Sequence, residues 1–349
     1  MTNTPKVGLG KSNGGTGTGV RSLPGSNHLG LVAALLALVI FLSSSSPNFL
    51  TAGNLTNILL QGSFVGIIAF GMTFVIIAAE IDISVGAAVA LSSALMGVIA
   101  INIGLPIAIT ILIVLAMGSL VGAFAGAMRA IFTVPSFIVT LALFSALRGT
   151  GLVITDAFPI TIPSAAFQFL GSGRLLGIPF PAAVMIVTFL VFWFLSSKTN
   201  FGRSVYAVGG NAEAARLSGI SVRRVRILVF SITGFLSAVS GILLSARLGT
   251  GNANIAQGLE FEVIAAVIIG GTSLYGGRGS MVGTLLGVLF ISTLSNGMIL
   301  LGISPFAQDI VRGVVVLVAV LVSLDWRAWM RGSDSPVIPA WLWSPRASK

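Results

Sequence analysis

Acidic side chains interrupt long apolar stretches of this sequence at two places. Glu80 and Asp82 lie in the phrase AAEIDISVGAAVAL, and Glu260 and Glu262 lie in the phrase QGLEFEVIAAVIIGG. An ionised carboxylate at the centre of a bilayer costs roughly 2.5–3.5 kcal/mol on insertion scales, so such groups usually face a polar cavity, a partner or the interface. Carboxylates in this setting can bind a polar solute or carry a coupling ion along a path through the protein.

Each of these polar interruptions also has a purely structural interpretation. Asp82 or Ser84 could cap the helix that follows, by accepting hydrogen bonds from its free backbone N–H groups. The two glutamates are two residues apart, so on a helix they point to different faces, and one could cap the helix or pair with Arg247 while the other lines a path. Asn296 lies within an apolar segment, where a packing hydrogen bond competes with a role in transport. The path predicted from these interruptions contains Glu80, Asp82, Glu260 and Asn296.

The usual arrangements of an enzyme are missing from the sequence. Gly10-Lys11-Ser12 resembles the end of a phosphate-binding loop, but Pro5 occupies the position of its first glycine, and no strand or helix flanks it. The single histidine, His28, precedes the first apolar run, which argues against a Ser–His mechanism. Asp82 and Asp309 could form a catalytic pair by residue type alone, and neither lies in a G-x-G-D context. We therefore predict no catalytic residue, cofactor or metal site, and any ATP hydrolysis has to come from a separate subunit.

The composition indicates a chain whose solvent is the lipid bilayer. The 349 residues are 55% hydrophobic and 8% charged, whereas soluble domains carry roughly a quarter of charged residues. Long unbroken apolar runs predict helices, since a spanning segment must satisfy its own backbone hydrogen bonds. The predicted fold is an all-α polytopic membrane protein with about ten transmembrane helices, one of them short or broken near 261–272. The predicted segments are 29–45, 57–79, 84–101, 106–128, 134–155, 179–197, 226–247, 261–272, 280–300 and 307–324.

The positive charges predict the orientation of these segments. With the N-terminus in the cytoplasm, fifteen of the nineteen Lys and Arg residues are cytoplasmic, so the positive-inside rule places both termini there. This topological pattern explains the net charge of +10 better than nucleic-acid binding does. The predicted organisation is a disordered cytoplasmic tail at 1–28, a permease domain at 29–325 and a second cytoplasmic tail at 326–349.

Glycines repeat at intervals of four in the segment near 106–128. Gly118, Gly122 and Gly126 form consecutive G-x-x-x-G patterns, which let neighbouring helices approach closely. We favour close packing within one bundle, and a dedicated seam between two copies is the alternative.

The longest polar stretch between apolar segments is residues 198–226. It reads KTNFGRSVYAVGGNAEAARLSGISVRRVR and contains six basic residues and one acid. Residues 212–217 have strong helix propensity, with Asn211 as a good N-cap and Gly219 as a good stop. Gly209-Gly210 is expected to form a turn before this helix. The stretch thus predicts a short cytoplasmic helix that docks a soluble partner, or alternatively a solvated loop held at anionic lipid by its arginines.

Three phrases resemble one known family. GRSVYAVGGNAEAARLSGISVRRVR resembles the coupling loop of sugar-type ABC importer permeases, the family that contains the ribose, xylose and galactose permeases. EIDISVG resembles that family's (G/E)-I-D-L-S-V-G, and LEFEVIAAVIIGGTSLYGGRGS followed by NGMILLGIS resembles its second long signature. The similarity covers about residues 45–325 in order. Glu80 departs from the glycine often found there, and Glu262 departs from a common aspartate.

The resemblance implies a membrane-spanning subunit of an ATP-driven importer. Its expected partners are cytoplasmic ABC ATPase subunits, a periplasmic sugar-binding protein, a second permease copy or paralogue, and the lipid of the bacterial inner membrane. The family's coupling helix corresponds to residues 211–220, which closure of the ATPases would push. The expected solute is a pentose, hexose or deoxyhexose. The residues expected to couple the permease to its ATPase are Gly202, Arg203, Gly209, Asn211, Ala215, Arg216 and Gly219.

Two other functions stay open. The chain could be a secondary transporter or channel for a small polar solute, in which the four acidic residues of the apolar stretches carry ion coupling. It could also be an ABC permease for a nucleoside or a polyol, which keeps the fold and changes the solute.

Overall fold

The computed structural model describes residues 26–323 of the chain. The tails predicted at 1–28 and 326–349 lie outside the described residues, except that the first helix begins at Ser26. The described part is mostly helical. Its helices are α1 (Ser26–Ser45), α2 (Ala52–Ile77), α3 (Val85–Gly97), α4 (Ile107–Ile131), α5 (Ser136–Ile154), α6 (Ala165–Ser172), α7 (Phe180–Lys198), α8 (Asn200–Gly210), α9 (Ala212–Leu217), α10 (Val222–Leu248), α11 (Leu259–Ile269), α12 (Met281–Leu300) and α13 (Pro305–Ser323).

Short irregular pieces complete the described part. A π-helical turn, Val98–Asn102, continues α3. β1 (Ile160–Thr161) pairs antiparallel with β4 (Thr250–Gly251), and β2 (Arg174–Leu175) pairs antiparallel with β3 (Ile178–Pro179).

Seven helices of the described range 26–323 are long and apolar enough to cross a membrane. They are α2, α3 with its π-helical turn, α4, α5, α7, α10 and α12. The other three predicted segments correspond to the helices α1, α11 and α13, which are not among these seven. The expected total of ten crossings and the cytoplasmic position of the termini are therefore not confirmed. The short helix expected near 261–272 is present as α11, which has 11 residues and is too short to span a bilayer.

Helix α2 forms the centre of the bundle. Its residues from Gly62 to Ile77 are all buried, including Phe70 and Phe74, which are fully enclosed. The ring centroids of Phe74 and Phe192 of α7 lie 5.5 Å apart, and Ser240 of α10 donates a hydrogen bond to the Phe64 carbonyl. An apolar helix buried on all sides is typical of the interior of a large bundle.

Glycines bring α4 and α10 into direct backbone contact. A Cβ on Gly118 would lie 2.6 Å from the Gly234 carbonyl oxygen, and a Cβ on Gly126 would lie 2.7 Å from the Ile227 Cα. Gly122 packs in the same way on the Phe230 carbonyl. The structure confirms close packing within the bundle as the role of this glycine stripe.

One connection runs through the interior, and a second is only partly buried. Residues 78–84 follow α2 in a non-helical path whose backbone is held by α5: the Ile81 N–H donates to Ser136 Oγ, at 3.3 Å, and the Ile83 N–H donates to Thr140 Oγ1, at 3.2 Å. Residues 252–258 lead from β4 to α11, beginning with an Asn252 N–H that donates to Ser93 Oγ at 3.1 Å, and Asn254 and Gln257 are exposed. Non-helical backbone at membrane depth is tolerated only where protein or a cavity surrounds it, and residues 78–84 meet that condition.

Candidate coupling helix and solute path

The polar stretch 198–226 contains two helices, and we predicted only the second. Gly209 and Gly210 are the last two residues of α8, so the turn expected at this dipeptide is wrong. Thr199 starts α8 by accepting a hydrogen bond from the Gly202 N–H. The chain turns at Asn211, whose extended backbone ends α8 and begins α9. Packing of Gly209 against the backbone of Ile77 and Gly277 therefore outweighs the turn preference of the two glycines.

Helix α9 begins and ends as its sequence predicts. The Asn211 side chain accepts a hydrogen bond from the Ala214 N–H at 2.9 Å. Gly219 takes a φ of +84°, a left-handed value that suits glycine, and the Ile220 N–H donates to the Ala215 carbonyl. These caps hold a six-residue helix that would not be stable alone.

The two faces of α9 differ sharply. Ala215 is 4% exposed and packs into the main core, so it supports the helix from beneath. On the other side Leu217 is 75% exposed. Glu213 and Arg216 form a solvent-exposed ion pair, and the Arg216 guanidinium lowers the pKa of the Glu213 carboxyl. Helix α9 thus has a buried face that anchors it and an exposed face that carries Leu217 and an ion pair.

Helix α8 joins the docking helix to the interior of the bundle. Gly209 rests on the Ile77 carbonyl at the end of α2, so closely that any side chain would clash. That carbonyl also accepts a hydrogen bond from the Gly277 N–H at 2.8 Å, and Tyr206 Oη donates to the Gly279 carbonyl at 3.0 Å. The ring of Phe201 meets Phe74 edge-on at 5.6 Å. Helix α8 therefore connects α9 to the end of α2 and to the loop after α11.

The two remaining predicted coupling residues lie at the start of α8. Gly202 is buried against the last carbonyls of α7, including the Ser196 carbonyl oxygen, which lies 2.5 Å from where its Cβ would be. Arg203 is exposed and donates to the Asn200 side chain. Gly202 thus closes the α7–α8 corner, whereas Arg203 is free to meet a partner or lipid.

The acids of the first cluster occupy different environments. Glu80 is 3% exposed, and its carboxylate is bound by Arg129 Nε at the end of α4 and by Arg226 Nε at the start of α10, each at 2.8 Å. Asp82 is 2% exposed, and its Oδ1 accepts from the Ser84 N–H at 2.9 Å and from Ser84 Oγ at 2.6 Å. Ser84 makes no side-chain cap, so Asp82 shapes the turn immediately before α3.

The acids of the second cluster point to different faces of α11, as their spacing predicts. Glu262 pairs with Arg312 of α13, with 2.9 Å between Oε1 and Nε. Glu260 is 3% exposed, and its Oε2 has no hydrogen-bond partner among residues 26–323. The pairing considered with Arg247 is not present in this part of the chain; the Arg247 guanidinium lies 5.7 Å from the centroid of the Phe64 ring instead.

Asn296 forms a reciprocal amide pair with Asn54 of α2. Each side chain donates to the other, at 2.8 and 2.9 Å, and Asn54 also donates to the Phe49 carbonyl. This geometry is the packing hydrogen bond considered from the sequence, and it ties α12 to α2.

Sequence reasoning did not find the partners of these groups. Arg129 and Arg226 were assigned to topology alone, although a buried acid needs a cation within reach. Leu217 enters the sequence prediction only as a residue of the predicted helix. Its exposure could have been predicted, because an apolar residue in so short a helix cannot face the core on every side. No metal-binding cluster of three or more His, Cys, Asp or Glu residues occurs in the described residues.

The long apolar helices indicate a multi-pass membrane protein. The profile of one family, described as the permease component of the branched-chain amino acid transport system, matches residues 54–320, and the chain belongs to this family. The chain is 52% identical over 299 residues to the probable ABC transporter permease protein YphD of Escherichia coli (strain K12), covering 85% of this chain and 90% of that protein.

The names of two other relatives include a solute. The chain is 46% identical over 296 residues to the ribose import permease protein RbsC of Bacillus subtilis (strain 168), covering 84% of this chain and 92% of that one. It is 36% identical over 352 residues to the xylose transport system permease protein XylH of Escherichia coli (strain K12), covering 83% and 90%. No solved structure matches the chain.

Proposed function

We propose that this chain is the membrane-spanning subunit of an ATP-driven importer of monosaccharides in the bacterial inner membrane. Relatives that import ribose and xylose match it over more than four fifths of its length. The observation that carries the proposal is helix α9, which presents exposed Leu217 on one side and is fixed to the bundle through buried Ala215 on the other.

The proposed topology has ten crossings with both termini in the cytoplasm. Besides the seven candidate spans, α1 and α13 cross the membrane, and α11 is the short or broken helix of the tenth crossing. Support comes from the charge distribution: Arg129, Arg226 and Lys198 all lie at helix ends on the side of α8 and α9.

The proposed partners are two cytoplasmic ABC ATPase subunits, a periplasmic solute-binding protein and a second permease copy or paralogue. Closure of the ATPases would push α9, and α8 would transmit the push to Ile77 and to the loop around Gly277. The coupling residues are those predicted from the sequence, with Gly202, Gly209, Asn211, Ala215 and Gly219 forming the rigid part. Arg203 and Arg216 supply charge at the surface.

The proposed solute is a pentose, hexose or deoxyhexose, and the path is shaped by Glu80, Asp82, Glu260 and Asn296. Glu80, Asp82 and Asn296 have hydrogen-bond or ion-pair partners within the chain, so they hold the segments around the path in place. Glu260 has a free oxygen among the described residues and is therefore the best placed of the four to meet a solute. A nucleoside or polyol would use the same fold.

A secondary transporter is the second candidate function, because Glu260 could also carry a proton. Reconstitution separates the two. The permease assembled with its ATPase and binding protein in proteoliposomes is expected to import a sugar only when ATP and the binding protein are supplied on their proper sides. Uptake by the permease alone, driven by a proton or sodium gradient, would instead establish the secondary transporter.

A further inference from the structure

The carboxylate of Glu260 lies where two helices begin inside the bundle. Glu260 is the second residue of α11, and Gly86 is the second residue of α3. Glu260 Oε2 occupies the space that a side chain on Gly86 would need. The residue is 3% exposed, and no group in the described part of the chain forms a hydrogen bond with this oxygen. A buried carboxylate oxygen without a partner is costly, so its retention requires an explanation.

The surroundings of this carboxylate carry positive potential. The first N–H groups of α3 and of α11 have no carbonyl of their own helix to bond, and each helix start bears a partial positive charge. The guanidinium of Arg148, on α5, is within coulombic reach of Glu260. These groups partly offset the cost of burying the Glu260 carboxylate, while the Glu262 carboxylate acts on it in the opposite direction. The oxygen without a partner is therefore suited to accept a hydrogen bond from a neutral O–H group.

Helix α5 continues this polar region toward the outside of the bundle. Around Arg148 its exposed residues are small or hydroxyl-bearing: Ser145, Ala146, Gly149 and Thr150. The outer faces of other spans differ, since α7 exposes Val187, Leu190 and Phe194. These four residues form a short polar patch on α5, between the exposed side chains of Leu141 and Val153, that could contact a polar solute.

We propose that Glu260 and Arg148 form the recognition site for a neutral polyhydroxy solute. Glu260 Oε2 accepts a hydrogen bond from one hydroxyl group of the solute, and Arg148 donates to a neighbouring oxygen. Gly86 leaves the room that the carboxylate needs. Glu260 is buried in this structure, so a solute would reach it only after α5 and α3, which pack against each other, move apart. This assignment rests on the proposed function. It adds the chemistry by which the permease itself selects its solute.

The test compares solutes that differ by one hydroxyl group. The transporter, reconstituted with its ATPase and binding protein, is given D-ribose, D-xylose and their monodeoxy analogues at concentrations that saturate the binding protein. In the unchanged protein, removal of the hydroxyl that meets Glu260 is expected to lower maximal uptake about tenfold, the effect of one charge-assisted hydrogen bond. In Glu260→Gln the same comparison is expected to give less than about threefold.

Glu262→Gln is the matched control, because it makes the same change two residues away on another face of α11. Glu262→Gln should keep the tenfold discrimination between the two solutes. Arg148→Gln should lose this discrimination. The Arg148 variant therefore tests the site independently if Glu260→Gln proves unstable in a thermal melt. Unchanged discrimination in Glu260→Gln, or an equal loss in Glu262→Gln, would overturn the site. If the unchanged protein imports none of these sugars with ATP, the proposed function fails, which is a separate outcome.

Discussion

Arg129 Nε lies 2.8 Å from both carboxylate oxygens of Glu80, 49 residues earlier in the chain. Arg226, the last residue of the polar stretch 198–226, approaches the same carboxylate at 2.8 Å. One buried acid thus ties the end of α4 and the start of α10 to the segment that leads into α3. The polar stretch 198–226 is therefore joined to the interior through Glu80 as well as through Gly209 and the other contacts of α8 and α9.

Glu80→Gln should destabilise the permease by about 2–4 kcal/mol, because removal of one partner leaves two partly buried guanidinium groups without their counter-charge. The midpoint of thermal unfolding in detergent measures the effect. Glu213→Gln is the control, since it breaks a fully exposed pair and should change the midpoint little. If the two variants unfold at equal midpoints, the Glu80 carboxylate does not stabilise the bundle.

These contacts show which parts of the fold the sequence predicts. The apolar runs locate α2, α4 and α10 to within a few residues, because lipid requires long continuous apolar helices. The caps of α9 are likewise local and were predicted at Asn211 and Gly219. The partners of Glu80 and Asn296 lie far away in the chain, and only the packing of whole helices brings them together. Local propensity failed at Gly209, where the backbone of another helix decides the conformation.

Gly209→Ala should abolish or strongly reduce coupled uptake. The added methyl group would occupy the position of the Ile77 carbonyl, so α8 must move away from α2. Gly210→Ala is a matched control from the adjacent position, because a Cβ there meets nothing within 4 Å. The measurement is ATP-dependent uptake per unit of ATP hydrolysed in proteoliposomes. If Gly209→Ala transports as well as Gly210→Ala, then α8 does not transmit the movement of α9 to α2.

Leu217→Ser should weaken binding of the ATPase subunits by roughly tenfold or more, as expected for an apolar anchor at the centre of an interface. Its side chain faces solvent, so the thermal stability of the isolated permease should stay the same. Leu176→Ser is the control: Leu176 is fully exposed in the β2–β3 hairpin, and it is not part of α9. Binding is measured by titration of the purified ATPase onto the permease in nanodiscs. Equal affinities for the two variants would contradict docking through α9.

The Asn54–Asn296 pair permits a cycle that separates packing from transport. Asn296→Leu alone leaves the Asn54 amide buried with its best partner removed, which should cost about 1–3 kcal/mol. The double variant Asn54→Leu/Asn296→Leu removes both amides and should recover part of that loss, because no amide is then buried without a partner, although the Phe49 carbonyl loses its donor. Thermal unfolding gives the stabilities, and uptake at saturating sugar gives the function. If the pair only joins α2 to α12, uptake by the double variant recovers together with its stability. If stability recovers while uptake stays low, Asn296 contacts the solute and belongs to the path itself.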